Sequence, residues 1–175
     1  TFVTKKITRG VAQLVLGKSK KLSLGNLNAS RDWGYAPEYC EGMWQILQHD
    51  TADDFVFATG ETYSVREFVE ETFKNIGIQI EWNGDGKDEK GKIVGIDGSF
   101  LVDKYSIDEI PISVGDVVVE IDPTYYRLTE VDALIGDASK AEKLLGWKAK
   151  TRFKDLVKMM IEADIEAGRR LTRDL

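Results

Sequence analysis

An α/β fold is the expectation from this sequence, and three patterns carry it. Phe55-Val56-Phe57-Ala58 is an unbroken apolar run between Asp53-Asp54 and Gly60, the mark of a strand covered on both faces, as in a parallel sheet. Ser64-x-x-Glu67 follows at once as a capping box, opening a helix with Val65, Phe68, Val69 and Phe73 on one stripe. Apolar residues three and four apart also open and close the chain, so helices alternate with short strands throughout.

Taken in order, Val3, Ile7, Val11 and Leu14 predict a first helix that stops near Gly17, and Leu22 to Leu24 a short strand. A pattern packed from its first residues, with no initiator Met, predicts that a domain precedes this numbering. The turn-rich stretch 25–34 is a surface loop. Pro37 starts a helix whose Cys40, Met43, Trp44 and Leu47 form the stripe expected to be buried. Beyond the run at 55–58 and the capped helix, Ile78 to Trp82 alternates as a half-exposed strand, and Gly84 to Gly91 is a solvated loop. Lys92 to Ile96 and Val117 to Ile121 are two further strands around a polar stretch with little period. Asp137 caps a helix carrying Ala141, Leu144 and Leu145 that stops at Gly146, with Trp147 packing just beyond. Phe153, Leu156, Val157, Met160 and Ile161 mark the last helix.

Among 175 residues, 42% are hydrophobic and 31% charged, a balance that suits one compact water-soluble unit. Lys and Arg number 24 against 30 Asp and Glu, and the net charge of −6 argues against nucleic acid or an acidic membrane as partner. One cysteine makes no internal disulfide, and no apolar run reaches the length of a membrane helix, so a cytoplasmic protein is expected. The single histidine, His49, has no second ligand nearby and is expected in solvent at a helix end. Asp50, Asp53 and Asp54 lack the spacing of a calcium loop, so no metal site is predicted. Neither G-x-G-x-x-G nor G-x-x-x-x-G-K-[ST] occurs, and no catalytic triad is self-contained here.

Two polar clusters suit an anionic ligand. Arg31-Asp32-Trp33 lies between turn residues and a proline-started helix, where Trp33 can anchor the loop and Arg31 offer phosphate a planar, permanently charged fork. Arg127 and Glu130 would face the same way in a helical turn, one for phosphate and the other for hydroxyls. A surface Arg–Glu pair is the alternative.

Several segments together resemble the GDP-mannose 4,6-dehydratase family: Phe2-Val3-Thr4-Lys5-Lys6-Ile7-Thr8-Arg9, Leu24-Gly25-Asn26-Leu27, Ser30-Arg31-Asp32-Trp33-Gly34, Ala58-Thr59-Gly60, Tyr63-Ser64-Val65-Arg66-Glu67-Phe68, Asp122-Pro123-x-Tyr125-Tyr126-Arg127 and Gly146-Trp147. The resemblance runs nearly end to end. It implies residues 1–175 to be the C-terminal, nucleotide-sugar-binding part of a Rossmann-like extended short-chain dehydrogenase/reductase. Residues 35–76 would then give a helix, strand and helix to the Rossmann sheet, and the NADP-binding N-terminal domain would lie outside this chain. It further implies a lyase of GDP-fucose biosynthesis that turns GDP-mannose into GDP-4-keto-6-deoxymannose with NADP, as a dimer or tetramer when full length. The cofactor loop and the Tyr-x-x-x-Lys pair would belong to the preceding half, so no catalytic, cofactor-binding or metal residue is assigned here and the fragment alone is expected to be inactive. Substrate contacts carry over residue by residue: Lys6, Arg31 and Arg127 on the diphosphate, Glu130 on the ribose, and Val3, Leu24, Gly25 and Asn26 along the guanine. Leu128 and Ala138 stand where the family pattern has prolines, and Pro37 where it has lysine. Another nucleotide-sugar epimerase or dehydratase, or a non-catalytic binding module, is the alternative.

Overall fold

The computed structural model describes residues 2–173 apart from 108, 128, 130 and 132. Helix α1 (Val3–Val15) closes over Gly17, whose φ of 70° is the left-handed turn that favours glycine. Strand β1 (Leu22–Leu24) follows, then β2 (Ser30–Arg31) and helix α2 (Ala36–Gln48), with Pro37 in its first turn. β3 (Tyr63–Ser64) runs into α3 (Val65–Lys74), where the Ser64 hydroxyl accepts from the Glu67 amide and the Glu67 carboxylate accepts from the Ser64 amide, completing the expected capping box. The hairpin β4 (Ile78–Asn83) and β5 (Lys90–Ile96) is joined through a short 3-10 turn, and α4 (Gly98–Tyr105), β6 (Val117–Ile121), α5 (Ser139–Leu145) and α6 (Phe153–Arg173) complete the order.

Four strands form a sheet in the order β1-β6-β5-β4. β1 pairs with β6 in parallel, Leu22 opposite Val119 and Leu24 opposite Ile121, while β6-β5 and β5-β4 are antiparallel. β2 and β3 make a separate antiparallel pair. α1 packs on α6, α3 and β1, and this helical layer buries Ile7, Val11, Leu14, Phe68, Phe73, Val157 and Ile161 against the sheet's Ile78, Ile93, Val118 and Val119. Two polar contacts at Asp164 join α1 to α6: the buried Thr8 hydroxyl donates to Asp164 Oδ2 at 2.6 Å, and the half-exposed Lys5 Nζ meets Asp164 Oδ1 at 2.5 Å.

Residues 55–58 pair with no strand among the described residues, the sheet expected around them being one completed from outside the chain, and Phe55 and Phe57 pack in a small second core with Tyr39, Ala141, Trp147 and Ala149. The parallel pairing belongs to β1 and β6. Two other expectations change. In α2 the buried side is opposite to the expected one. Gly42 is covered by the Phe57 ring and Tyr39 meets Trp147 edge-on at 5.5 Å, whereas Met43, Trp44 and Leu47 stand 58%, 61% and 80% exposed and Cys40 is exposed with them. His49, expected in solvent, is half-buried with its ring edge-on to Phe55 at 5.9 Å. Asp137 accepts from the Ser139 amide at 2.9 Å, at the start of α5 as expected, and Gly146 closes that helix at φ 70°. The polar middle stretch holds α4, whose N-cap Asp97 accepts from the Phe100 amide.

Candidate functional site

A cleft of about 810 Å³ opens beside the parallel pair of strands, walled by α1, the end of β1, β2 and the segment after β6. α1 turns Val3, Lys6, Arg9 and Gln13 toward it, one helical face at intervals of three and four, while Thr8 and Lys5 point the other way to Asp164. Leu24, Gly25 and Asn26 line it where β1 ends. Arg31 enters from β2, and Asp122, Tyr125 and Arg127 from the segment that leaves β6.

The polypeptide around the cleft is laced together. Leu24 O accepts from the Asp122 amide at 2.8 Å, extending the β1–β6 pairing by one bond. At Gly25 an added Cβ would fall 2.2 Å from the Tyr125 carbonyl oxygen, so only glycine admits that approach. The Asn26 carboxamide bonds both polar groups of the Arg127 main chain, Nδ2 donating to Arg127 O at 2.8 Å and Oδ1 accepting from Arg127 N at 2.7 Å.

Neighbouring residues of the Arg-Asp-Trp motif do three different jobs. Asp32 Oδ1 accepts from the Thr59 amide and hydroxyl, and Oδ2 from the Gly60 amide at 3.0 Å, tying β2 to the Ala58-Thr59-Gly60 loop. Trp33 anchors the loop as expected, its Nε1 donating to Tyr63 O at 2.9 Å and its ring edge-on to Phe68 at 5.5 Å. Arg31 lies at the cleft, and its Nη1 also donates to the carbonyls of Ser30 and Val131, each at 2.7 Å.

Positive charge dominates this wall. Among the described residues, Lys6, Arg9, Lys21, Arg31 and Arg127 line it together with the acid Asp122. The Lys6 ammonium sits 3.3 Å over the Tyr125 ring, and burial pushes its pKa below the ordinary 10.5, with the Asp122 charge acting against that shift. Hydrogen bonds from Thr124 hold the Asp122 carboxyl below its usual range. Cations held partly out of water are groups that an anion can pair with.

Seven of the eight residues expected at a binding site, Val3, Lys6, Leu24, Gly25, Asn26, Arg31 and Arg127, therefore meet in one cleft, although they span more than 120 positions of sequence. Glu130 lies outside the described residues. Arg9, Tyr125 and Asp122 were not singled out for this cleft by sequence. Arg9, three after Lys6, was legible as the same helix face. Tyr125 depends on the turn at Pro123, and its position over Lys6 leaves no trace in spacing. Among the described residues no group of three or more His, Cys, Asp or Glu could hold a metal ion.

The family model described as GDP-mannose 4,6 dehydratase matches residues 1–160. The chain belongs to the GDP-mannose 4,6-dehydratase family. Curated members of that family include the enzymes of Dictyostelium discoideum, 49% identical over 95% of this chain and 42% of its own length, and Homo sapiens, 46% identical over 96% and 40%. The chain thus spans about two-fifths of those relatives, as a C-terminal portion. Solved structures share the fold. RMD from Pseudomonas aeruginosa, complexed with NADPH, superposes with a TM-score of 0.65 at 14% identity over 95% of this chain and 43% of its own. A UDP-glucose 4-epimerase from Bifidobacterium longum, in complex with NAD+ and UDP, gives 0.57 at 20% identity over 93% and 39%. The likeness is one of fold, a mixed α/β architecture with a parallel pair of strands.

Proposed function

We propose that this chain is the GDP-mannose-binding part of a GDP-mannose 4,6-dehydratase that forms GDP-4-keto-6-deoxymannose. The observation that carries the reading is the convergence of Lys6, Arg31 and Arg127 on one cleft of a size suited to a small ligand. The two arginines and the lysine take the diphosphate, Arg9 adds charge from the next turn of α1, and the wall of Val3 and Leu24 to Asn26 takes the base. Glu130 is assigned to the ribose hydroxyls on the resemblance alone.

NADP supplies the hydride chemistry of the family, and the described residues do not fit it as a binding site. The glycines nearest to a phosphate-loop pattern lie at the tip of the β4–β5 hairpin, where a Cβ on Gly84 would fall 2.6 Å from the Asp88 carbonyl oxygen: that glycine serves the turn. NADP binding is therefore assigned to residues outside this chain. The contribution of this chain is to bind and orient the nucleotide sugar by its diphosphate.

The same reading assigns residues 35–76 to a Rossmann sheet completed from outside the chain. In support, α2 and Val56 present apolar side chains to solvent. No helix among the described residues is long and apolar enough to cross a membrane. The cytoplasm and a homo-oligomeric full-length enzyme complete the proposal.

Titration calorimetry of GDP into the chain tests it, with UDP and inorganic phosphate as comparisons. GDP is expected to bind more tightly than phosphate. Indifference between GDP and phosphate would reduce the cleft to a general anion site.

A further inference from the structure

Asn26 lines the cleft with its carboxamide already engaged by the protein itself. Both ends of its carboxamide are bonded to the main chain of Arg127, as donor at 2.8 Å and acceptor at 2.7 Å. A primary amide in this arrangement copies the two-bond exchange between facing residues of antiparallel strands, although no strand exists at either residue. Upstream, Leu24 O holds the Asp122 amide, and Gly25 admits the Tyr125 carbonyl. The segment from Asp122 to Arg127 is thus fastened to the end of β1, and its last fastening is a side chain.

We infer that Asn26 is a positioning residue that acts through Arg127, fixing its backbone so that the guanidinium meets the ligand already placed. The inference rests on the reading of the cleft as a nucleotide-diphosphate site. Arg127 follows the turn at Pro123, and a long cationic side chain on a backbone left unfastened would lose more freedom on binding. The clasp meets that ordering cost during folding, which is how preorganisation raises affinity.

A double-mutant cycle read by GDP titration separates this from direct contact. Asn26→Ala is expected to weaken GDP about tenfold in the unaltered chain, and to change affinity by less than about twofold in an Arg127→Ala background. Without ligand, the Arg127 amide is expected to exchange its hydrogen about tenfold faster or more in Asn26→Ala. Equal losses in both backgrounds would make Asn26 a ligand contact and overturn the inference, as would an unchanged exchange rate at Arg127. Should Asn26→Ala fail to fold, Asn26→Asp carries the same cycle, because its carboxylate keeps the bond from Arg127 N–H while losing the one to Arg127 O. Failure of the unaltered chain to bind GDP would sink the reading of the cleft and the ligand role of Asn26 with it, and the exchange measurement judges the clasp separately.

Discussion

Single side chains decide the electrostatics of the cleft, and the arginines matter most. A diphosphate entering between Arg31 and Arg127 would gain charge-assisted hydrogen bonds, each contributing about 1.5–3 kcal/mol. Arg31→Ala or Arg127→Ala is therefore expected to weaken GDP about tenfold to a hundredfold by calorimetry. Arg127→Lys should recover only part of the loss, because a point charge replaces the fork. Unchanged affinity in both alanine variants would return the arginines to a role in surface packing. Arg31 Nη1 already donates to two main-chain carbonyls, so Arg31→Ala should also lower the unfolding midpoint. Arg31 and Arg127 were nameable in sequence as partners for an anion, through the planar charged fork and the family resemblance, and the fold brings both to one cleft. The clasp from Asn26 was not legible, since nothing in an Asn separated by 101 positions from its partner announces the pairing.

Secondary-structure elements hold these side chains through a few long-range contacts, of which Thr8 to Asp164 is the most buried. Thr8 is fully buried and Asp164 is 7% exposed, so Thr8→Val would leave a carboxylate oxygen short of a donor at nearly constant volume. A loss of about 1–3 kcal/mol is expected, read as a lower urea midpoint at unchanged slope. An unmoved midpoint would mean that Lys5, half exposed beside it, or water makes up the bond. At this scale much of the fold could be read from local pattern: the capping box at Ser64, the glycine stops at Gly17 and Gly146, and the strands at Leu22 and Val117 follow backbone rules that act within a few residues. α4 was missed, although Asp97 as a cap with Leu101 and Tyr105 four apart was a usable signal. The run at 55–58 stays unpaired among the described residues because apolar composition reports what a segment can bury, whereas a strand also requires a hydrogen-bonding neighbour.

At the scale of the whole molecule, an apolar surface is left uncovered among the described residues, running from Met43, Trp44 and Leu47 on α2 toward Met159 on α6 and Phe2. Exposed patches of this kind drive association. The chain is expected to self-associate as concentration rises in light scattering, and the double substitution Met43→Lys and Trp44→Lys should return it to a monomer while GDP affinity stays the same. A monodisperse unaltered chain would show that the surface is not adhesive. Sequence placed the right residues on this stripe and the wrong side of α2 inward, because helical period identifies a face without saying which neighbour covers it. The parallel pairing of β1 with β6 has a consequence for how the molecule comes into being. Leu24 and Ile121 are far apart along the chain, and a contact of that separation closes a long loop before it gains anything in return. Since Leu24 to Asn26 and Asp122 to Arg127 become neighbours only through this pairing, helices α1 and α3 can form while the walls of the cleft are still in two pieces, and the diphosphate affinity proposed for it is expected among the last properties a refolding chain acquires.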